Sequence, residues 1–443
     1  MTEGGGQKPE DGERRAALRR RSSAIRAHSL SLAATIFLAA SALPATATEE
    51  FFDRLQDRLT FSGARGAWVA QVSGVIDLEA YALPHPAPGL IYTPDRTLIN
   101  PRLTLFLDAE LGERWYFFAQ ARADRGFDPA DGSLRIRLDE YALRFTPRGG
   151  RGPSLQVGQF ATAIGTWNPR HGSWENPFIT APLVYENVTG IWDSVPARTA
   201  GILLAWAHVT PLPPGTDEYA DKHLRQPVIW GPSYATGAAV FGAAGPLHYA
   251  FEVKNAAPSS RPEAWRLERD SWRHPTGSAR LVYRPSPRWQ FGLSASRGTY
   301  LRPAAAALLP AGQGLGDYRQ TLLGQDVTFA WHHWQVWAEA YQARFAVPRI
   351  GDAKVHSHYL EVKYKFGPAF ALAARWNGQH FGDITRASGQ RTPWGRDSRR
   401  LDLAPVIRFG PHQQLKLQYS LLRETGATED PAHLWAAQFT VRF

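Results

Sequence analysis

From residue 67 onward apolar side chains recur at every second position, in runs of about ten residues, and that period restricts the chain to extended strands with one apolar and one polar face. Trp68, Ala70, Val72, Gly74, Ile76, Leu78 and Ala80 share one face, with Gln71, Ser73, Asp77 and Glu79 on the other. Leu103, Leu105, Leu107, Ala109 and Leu111 then lie opposite Arg102, Thr104, Asp108 and Glu110. After the turn Gly112-Glu113-Arg114, Trp115, Phe117, Ala119 and Ala121 lie opposite Gln120, Arg122 and Asp124, which completes a hairpin.

Alternation also suits a water-soluble β-sandwich, so other features must decide. The runs are longer than the usual strand of about five or six residues. The connections alternate in length, with short turns at 112–114, 148–154, 244–246, 285–288, 332–333, 367–369 and 410–413. Long polar loops fall between them, at 82–99, 125–132, 168–232, 256–275, 301–317, 346–354, 378–397 and 425–432. Aromatic residues flank the short turns, among them Trp115, Trp289, Trp331, Trp334, Phe366, Phe370 and Phe409, as suits a membrane–water boundary. The polar faces carry charges that a dry core would hold only at high cost, whereas a wet lumen removes that objection. The expected fold is therefore all-β, a transmembrane antiparallel β-barrel with long extracellular loops.

Composition closes off the competing classes. There is no cysteine, so disulfide scaffolds and thiolate metal sites drop out. Mean hydropathy is -0.34, and no apolar run beyond residue 50 reaches the roughly 18 residues of a membrane-spanning helix. Of the formal net charge of +10, residues 1–47 hold seven basic and four acidic groups, and the charges of the remainder are scattered rather than clustered, which gives nucleic-acid binding little support.

Sixteen segments fit an up-and-down path: 67–81, 100–111, 115–124, 133–147, 155–165, 233–243, 247–255, 276–284, 289–297, 319–331, 334–345, 355–366, 370–377, 398–409, 413–424 and 433–443. An eighteen-stranded count stays open if Thr199 to Val209 is a strand that pairs near 219–232. At Asp139-Glu140 the apolar phase shifts by one residue, which predicts a β-bulge.

The N-terminus reads as an export signal. Basic residues within 14–26 precede the apolar stretch Leu30 to Leu43 and then Ala45-Thr46-Ala47, so residues 1–47 are expected to be a signal peptide cleaved after Ala47. Residues 48–66 form a periplasmic leader in this reading, where the spacing of Phe51, Phe52, Leu55 and Leu59 predicts a short helix packed near the barrel mouth. Residues 67–443 form the barrel.

In the last segment Trp435, Ala437, Phe439, Val441 and Phe443 share one face, with Ala436, Gln438, Thr440 and Arg442 on the other. This pattern with its terminal Phe443 resembles the C-terminal signature of bacterial outer-membrane barrels. The resemblance implies a Gram-negative-type outer membrane and makes Phe443 the signal for the barrel-assembly machinery. Leu138-Asp139-Glu140-Tyr141-Ala142-Leu143 followed by Leu155-Gln156-Val157-Gly158-Gln159-Phe160 is similar to a strand pair in phosphate-selective porins of the O and P type, over roughly thirty residues. It implies an outer-membrane porin, not a phosphate site, and with it a homotrimer.

A sixteen-stranded barrel is wide enough for an aqueous channel, so passive diffusion of a small hydrophilic solute or ion is the expected function. The expected lumen-facing charges include Arg102, Asp108, Glu110, Arg122, Arg280, Asp326, Glu361, Lys363, Arg375 and Lys416, a nearly balanced set that implies weak selectivity. A constriction is expected from 168–232, with Arg170, His171, Glu175, Asp193 and Arg198 as candidates, and with Glu175 and Asp193 as counter-charges to the two arginines. Two alternatives remain: an exporter of a charged polysaccharide and a lipid hydrolase of the outer membrane. No enzyme activity is expected, because His332-His333 and His356-x-His358 lack an acid at a recognisable spacing. No metal or cofactor is implied, and lipid is the expected surrounding partner.

Overall fold

The computed structural model describes residues 45–63, 66–84, 86–124, 134–147, 152–207, 222–267, 272–426 and 431–443. Residues 1–44, which hold most of the expected signal peptide, and the expected loop 125–132 lie outside the described residues.

Sixteen antiparallel strands form one closed sheet. They are β1 (Trp68–Ala82), β2 (Thr97–Leu111), β3 (Trp115–Asp124), β4 (Arg135–Phe145), β5 (Ser154–Gln159), β6 (Thr236–Ala244), β7 (Leu247–Lys254) and β8 (Thr276–Ser286). The second half comprises β9 (Trp289–Thr299), β10 (Arg319–Trp331), β11 (Trp334–Val347), β12 (Gly351–Lys365), β13 (Phe370–Phe381), β14 (Ser398–Arg408), β15 (Gln413–Glu424) and β16 (Ala432–Arg442). Each strand pairs with its chain neighbour, and β16 pairs with β1 from Val75↔Arg442 to Ala82↔Trp435, so the sheet has no free edge there. All sixteen expected strands are present, although the fifth, expected over 155–165, ends at Gln159 where the chain turns inward, and the expected bulge lies at Asp139, since Gln120 opposes Glu140 while Ala121 opposes Leu138.

Two expectations are corrected. Residues Ala200–Ala207, the core of the candidate extra strand, form a helix, as their Ala- and Leu-rich sequence AGILLAWA favours; the count therefore stays at sixteen. The expected long loop 346–354 is a tight hairpin: β11 and β12 pair out to Val347↔Gly351, and Arg349 at φ 62° turns the chain.

Along the outside, apolar side chains stand exposed from rim to rim, including Ile136 at 84% and Leu293 at 62%. Taking such surface out of water is favourable by about 25 cal/mol per Å², and a hydrocarbon surround supplies that environment. The outward faces of β1–β8 carry no charged side chain. No helix is long and apolar enough to cross a membrane among the described residues. The molecule is a transmembrane barrel of the outer-membrane type.

At the short-turn end, the seam between β1 and β16 is reinforced. Gly74 and Phe443 exchange backbone hydrogen bonds, each 3.0 Å, and the Phe443 ring lies where a side chain at position 74 would project, so glycine admits it. Below that point the short strand Thr60–Ser62 takes over the β1 edge, with Thr60 opposite Gln71. The helix Ala45–Arg58 precedes it; Phe52 stacks on His412 of the β14–β15 turn at 5.1 Å, and Asp53 lies 3.5 Å from the same imidazole. The expected leader helix thus exists and packs at the barrel mouth.

Candidate functional site

The site is the lumen, and the chain itself fills much of it. After β5, residues 160–192 turn inward and cross the barrel, followed by 222–235 before β6. The crossing can be traced through its hydrogen bonds. Ala161 N donates to Glu140 of β4, Ala163 N to Glu252 of β7 and Gly165 N to Ser294 of β9. Farther on, Lys416 of β15 donates to the carbonyls of Ser173 and Asn176, and Ile179 N donates to Gln418 of β15. The segment then returns to β13, where Asn377 and Gln379 meet Leu183 N and Asn187.

Glu339 on β11 is the main anchor. One carboxylate oxygen accepts from Thr166 N at 2.5 Å, Thr166 Oγ1 at 2.9 Å and Trp167 N at 2.7 Å; the other accepts the hydroxyls of Tyr185 at 2.6 Å and Tyr341 at 2.9 Å. Five donors on one buried carboxylate leave it fully satisfied, the condition under which a charge survives away from water. Gly165 permits this approach: it sits at φ 62°, and a Cβ there would meet the Tyr341 hydroxyl at 2.2 Å and Glu339 Oε1 at 2.7 Å.

The crossing segment divides the lumen into unlike halves. Against β10–β12 it forms a packed core in which Ile164, Tyr185 and Ile229 cluster with Leu322, Phe345 and Val355, joined by Leu203 of the Ala200–Ala207 helix and Trp394 of the β13–β14 connection. Along β1–β4 the wall stays polar. Arg102 bridges Asp77 and Glu79 at 2.8 and 2.7 Å, Arg122 pairs with Asp124 at 2.6 Å, and Arg137 pairs with Asp124 at 2.9 Å and Asp139 at 3.3 Å. These guanidinium side chains keep 13, 19 and 22% of their surface exposed, while Asp77, Glu79 and Asp124 keep 1% or less. The groups that face the open strip are therefore cations, with the carboxylates tucked behind. Toward the short-turn end the strip opens into a cavity of about 610 Å³ lined by Asp108, Glu110, Tyr116, Phe118, Glu140 and Arg144.

Each candidate residue has a definite place. Arg102, Asp108, Glu110, Arg122, Arg280, Asp326, Glu361, Lys363, Arg375 and Lys416 all lie on inward positions of their strands. Only the first four border the polar strip and cavity. Arg280 is held by Asp326 at 2.6 Å, and Arg375 is fully buried against Asp402 at 2.9 Å, with its guanidinium over the Phe178 ring and donating to Thr180 O. Lys416 is spent on the crossing segment.

Arg170 lies over the Trp337 ring and pairs with Glu361 at 2.5 Å. The counter-charge assignment is corrected here: Glu361, from the wall, serves Arg170, and Asp193 is taken by Arg261 at 2.5 Å in the long-loop region. Sequence-local pairing fails because the crossing brings wall strands nearer than the loop's own acids. Glu175 is exposed beside Gly172, and Arg198 is exposed just before the Ala200–Ala207 helix. His171 faces the polar strip; its ring bridges Asn168 O at 2.5 Å and the Tyr234 hydroxyl at 2.6 Å, and burial together with the nearby Arg122 and Arg102 pushes its pKa down to about 4.

Sequence reasoning missed Arg137, Arg144 and Arg400. The first shares parity with Asp139 and the last with Asp402, so the period of two alone carried that signal. Arg400 joins Glu186 of the crossing segment to Asp402, and the Glu186 carboxyl is raised by burial, against the pull of Arg400.

Neither a protein-family profile nor a curated protein matches the sequence. Solved structures with the same architecture do. OmpF of Salmonella typhi, in complex with daunomycin, is 9% identical with a TM-score of 0.52, covering 86% of this chain and 100% of that one. The loop L8 deletion mutant of OmpT, an outer membrane protein of Vibrio cholerae, is 8% identical with a TM-score of 0.50, covering 85% of this chain and 100% of that one. At this identity the likeness is one of fold, a sixteen-stranded outer-membrane barrel.

Proposed function

We propose that the protein is a porin, a passive channel for small hydrophilic solutes, with its water path confined to the strip between β1–β4 and the crossing segment. The observation that carries this is the division of the lumen: a packed core against β10–β12 and, opposite, a polar wall whose guanidinium groups are part-exposed. Weak selectivity followed from counting charges, but exposure weights them. Because Arg102, Arg122 and Arg137 face water and their carboxylates do not, the path favours small anions. The phosphate-selective subtype rests on the short sequence similarity alone. Trimer formation is consistent with the uncharged outer faces of β1–β8, which offer a flat apolar surface to neighbouring copies.

The test is single-channel conductance of the refolded chain in a planar bilayer, with the reversal potential taken across a salt gradient. Small, stable steps with a potential of anionic sign support the reading. An inserted barrel without conductance would mean that the crossing segment seals the lumen, and the porin function would be abandoned.

A further inference from the structure

The outer surface carries its own asymmetry. Whereas β1–β8 present no outward charge, the long-loop ends of β11–β15 present a basic arc. In sheet register Arg344 stands directly opposite Lys354, His356 opposite His380, and Arg399 opposite Arg423. Like charges facing one another across a strand pair are destabilising, and two of these pairings, Arg344 with Lys354 and Arg399 with Arg423, set cation against cation. Two carboxylates are near: Asp352 takes Arg344 at 3.1 Å, and Asp397 takes His380 at 3.0 Å. Lys354, Arg399 and Arg423 are exposed and have no carboxylate within ion-pair distance among the described residues.

Depth places the arc. From His356 to Phe366 the outward face of β12 and its turn runs ten residues, about 33 Å along the strand at about 3.3 Å each, or about 25 Å along the barrel axis at a tilt near 40°. That is the height of the apolar band of an outer-membrane barrel, about 25 Å. With Phe366 and Phe370 at the aromatic boundary of the short-turn end, the basic arc falls at the headgroup level of the opposite leaflet. A cationic cluster at that depth is complementary to an anionic headgroup, and phosphomonoesters supply the multiple acceptor oxygens that guanidinium groups bind in pairs.

We propose that the outward face of β11–β15 at the long-loop end docks the phosphorylated headgroup of a membrane glycolipid, whose acyl chains lie on the apolar band below. The lipid offsets the repulsion within the like-charged pairs and fixes which side of the barrel faces the bilayer.

The experiment uses the full refolded chain in nonionic micelles, with diphosphorylated lipid A as probe and the same lipid after removal of its phosphates as comparison, bound fractions being read by native mass spectrometry. At least tenfold preference for the phosphorylated form is expected, with a loss of that preference in Lys354→Gln/Arg399→Gln/Arg423→Gln. Folding of the variant is read from heat-modifiable migration; should the triple variant not fold, Arg423→Gln alone, at the exposed strand end, is expected to lose about threefold. Conductance should stay as in the wild type, since none of these groups faces the lumen. Equal binding of both lipid forms, or a folded variant with wild-type affinity, overturns the proposal. Displacement of the lipid by inorganic phosphate alone would also overturn it, by showing a free-anion site instead.

Discussion

Glu339 concentrates the attachment of the crossing segment in a single side chain. Replacing it as Glu339→Gln exchanges an oxygen that accepts hydrogen bonds for an amide that donates them, so at least two of five donors lose their partner; for charge-assisted bonds the cost is on the order of 3 kcal/mol. The expected result is a barrel that still shifts on heating, with new protease sites within 160–187 and larger conductance. Gly165→Ala should act on the same joint, because the added methyl meets two tyrosine hydroxyls. His171 gives the joint a pH dependence whose sign follows from its depressed pKa. The unfolded imidazole binds a proton near pH 6.5 and the native one only near 4, so the segment's stability is full above about 6.5 and is lost as pH falls through that window. Lowering the pH from 7 to 4.5 should raise open-channel noise in the wild type, and His171→Gln should flatten the response.

Elements were legible where a period was kept. All sixteen strands, the bulge at Asp139 and the leader helix follow from alternation and helical spacing. The crossing segment was legible only as a constriction expected from 168–232, not in its path: its buried apolar residues Ile164, Trp167, Tyr185 and Ile191 keep neither period, since an irregular chain wrapped on several walls at once has no repeating face. The loop's Trp and Tyr content marked it as distinctive, but its partners, Glu339, Glu361 and Gln418, lie more than 150 residues away, and one sequence holds no trace of that proximity. At the same scale, the helix Ala45–Arg58 is predicted to brace the seam. Phe52→Ala removes its stacking on His412 and should lower the temperature at which the folded band converts on a gel by a few degrees, without preventing insertion.

For the whole molecule, on the porin reading, the paired charges decide what passes. Arg137→Gln leaves Asp124 with Arg122 but uncovers Asp139, so the strip loses a cation and gains an exposed acid. The reversal potential should move toward cation preference by at least a twofold change in permeability ratio; an unchanged potential would place the ion path elsewhere. The interior arrangement also dictates an order of events. Residues 160–187 touch strands from β4 to β15, yet the cylinder is sealed only where β16 meets β1. A chain cannot be drawn into a finished tube and seated on so many walls at once, so the sheet must curl around this segment while it is still an open ribbon. The last hairpin is a door that shuts on contents already in place, and the loop's anchors are in effect a template for the curvature of the wall.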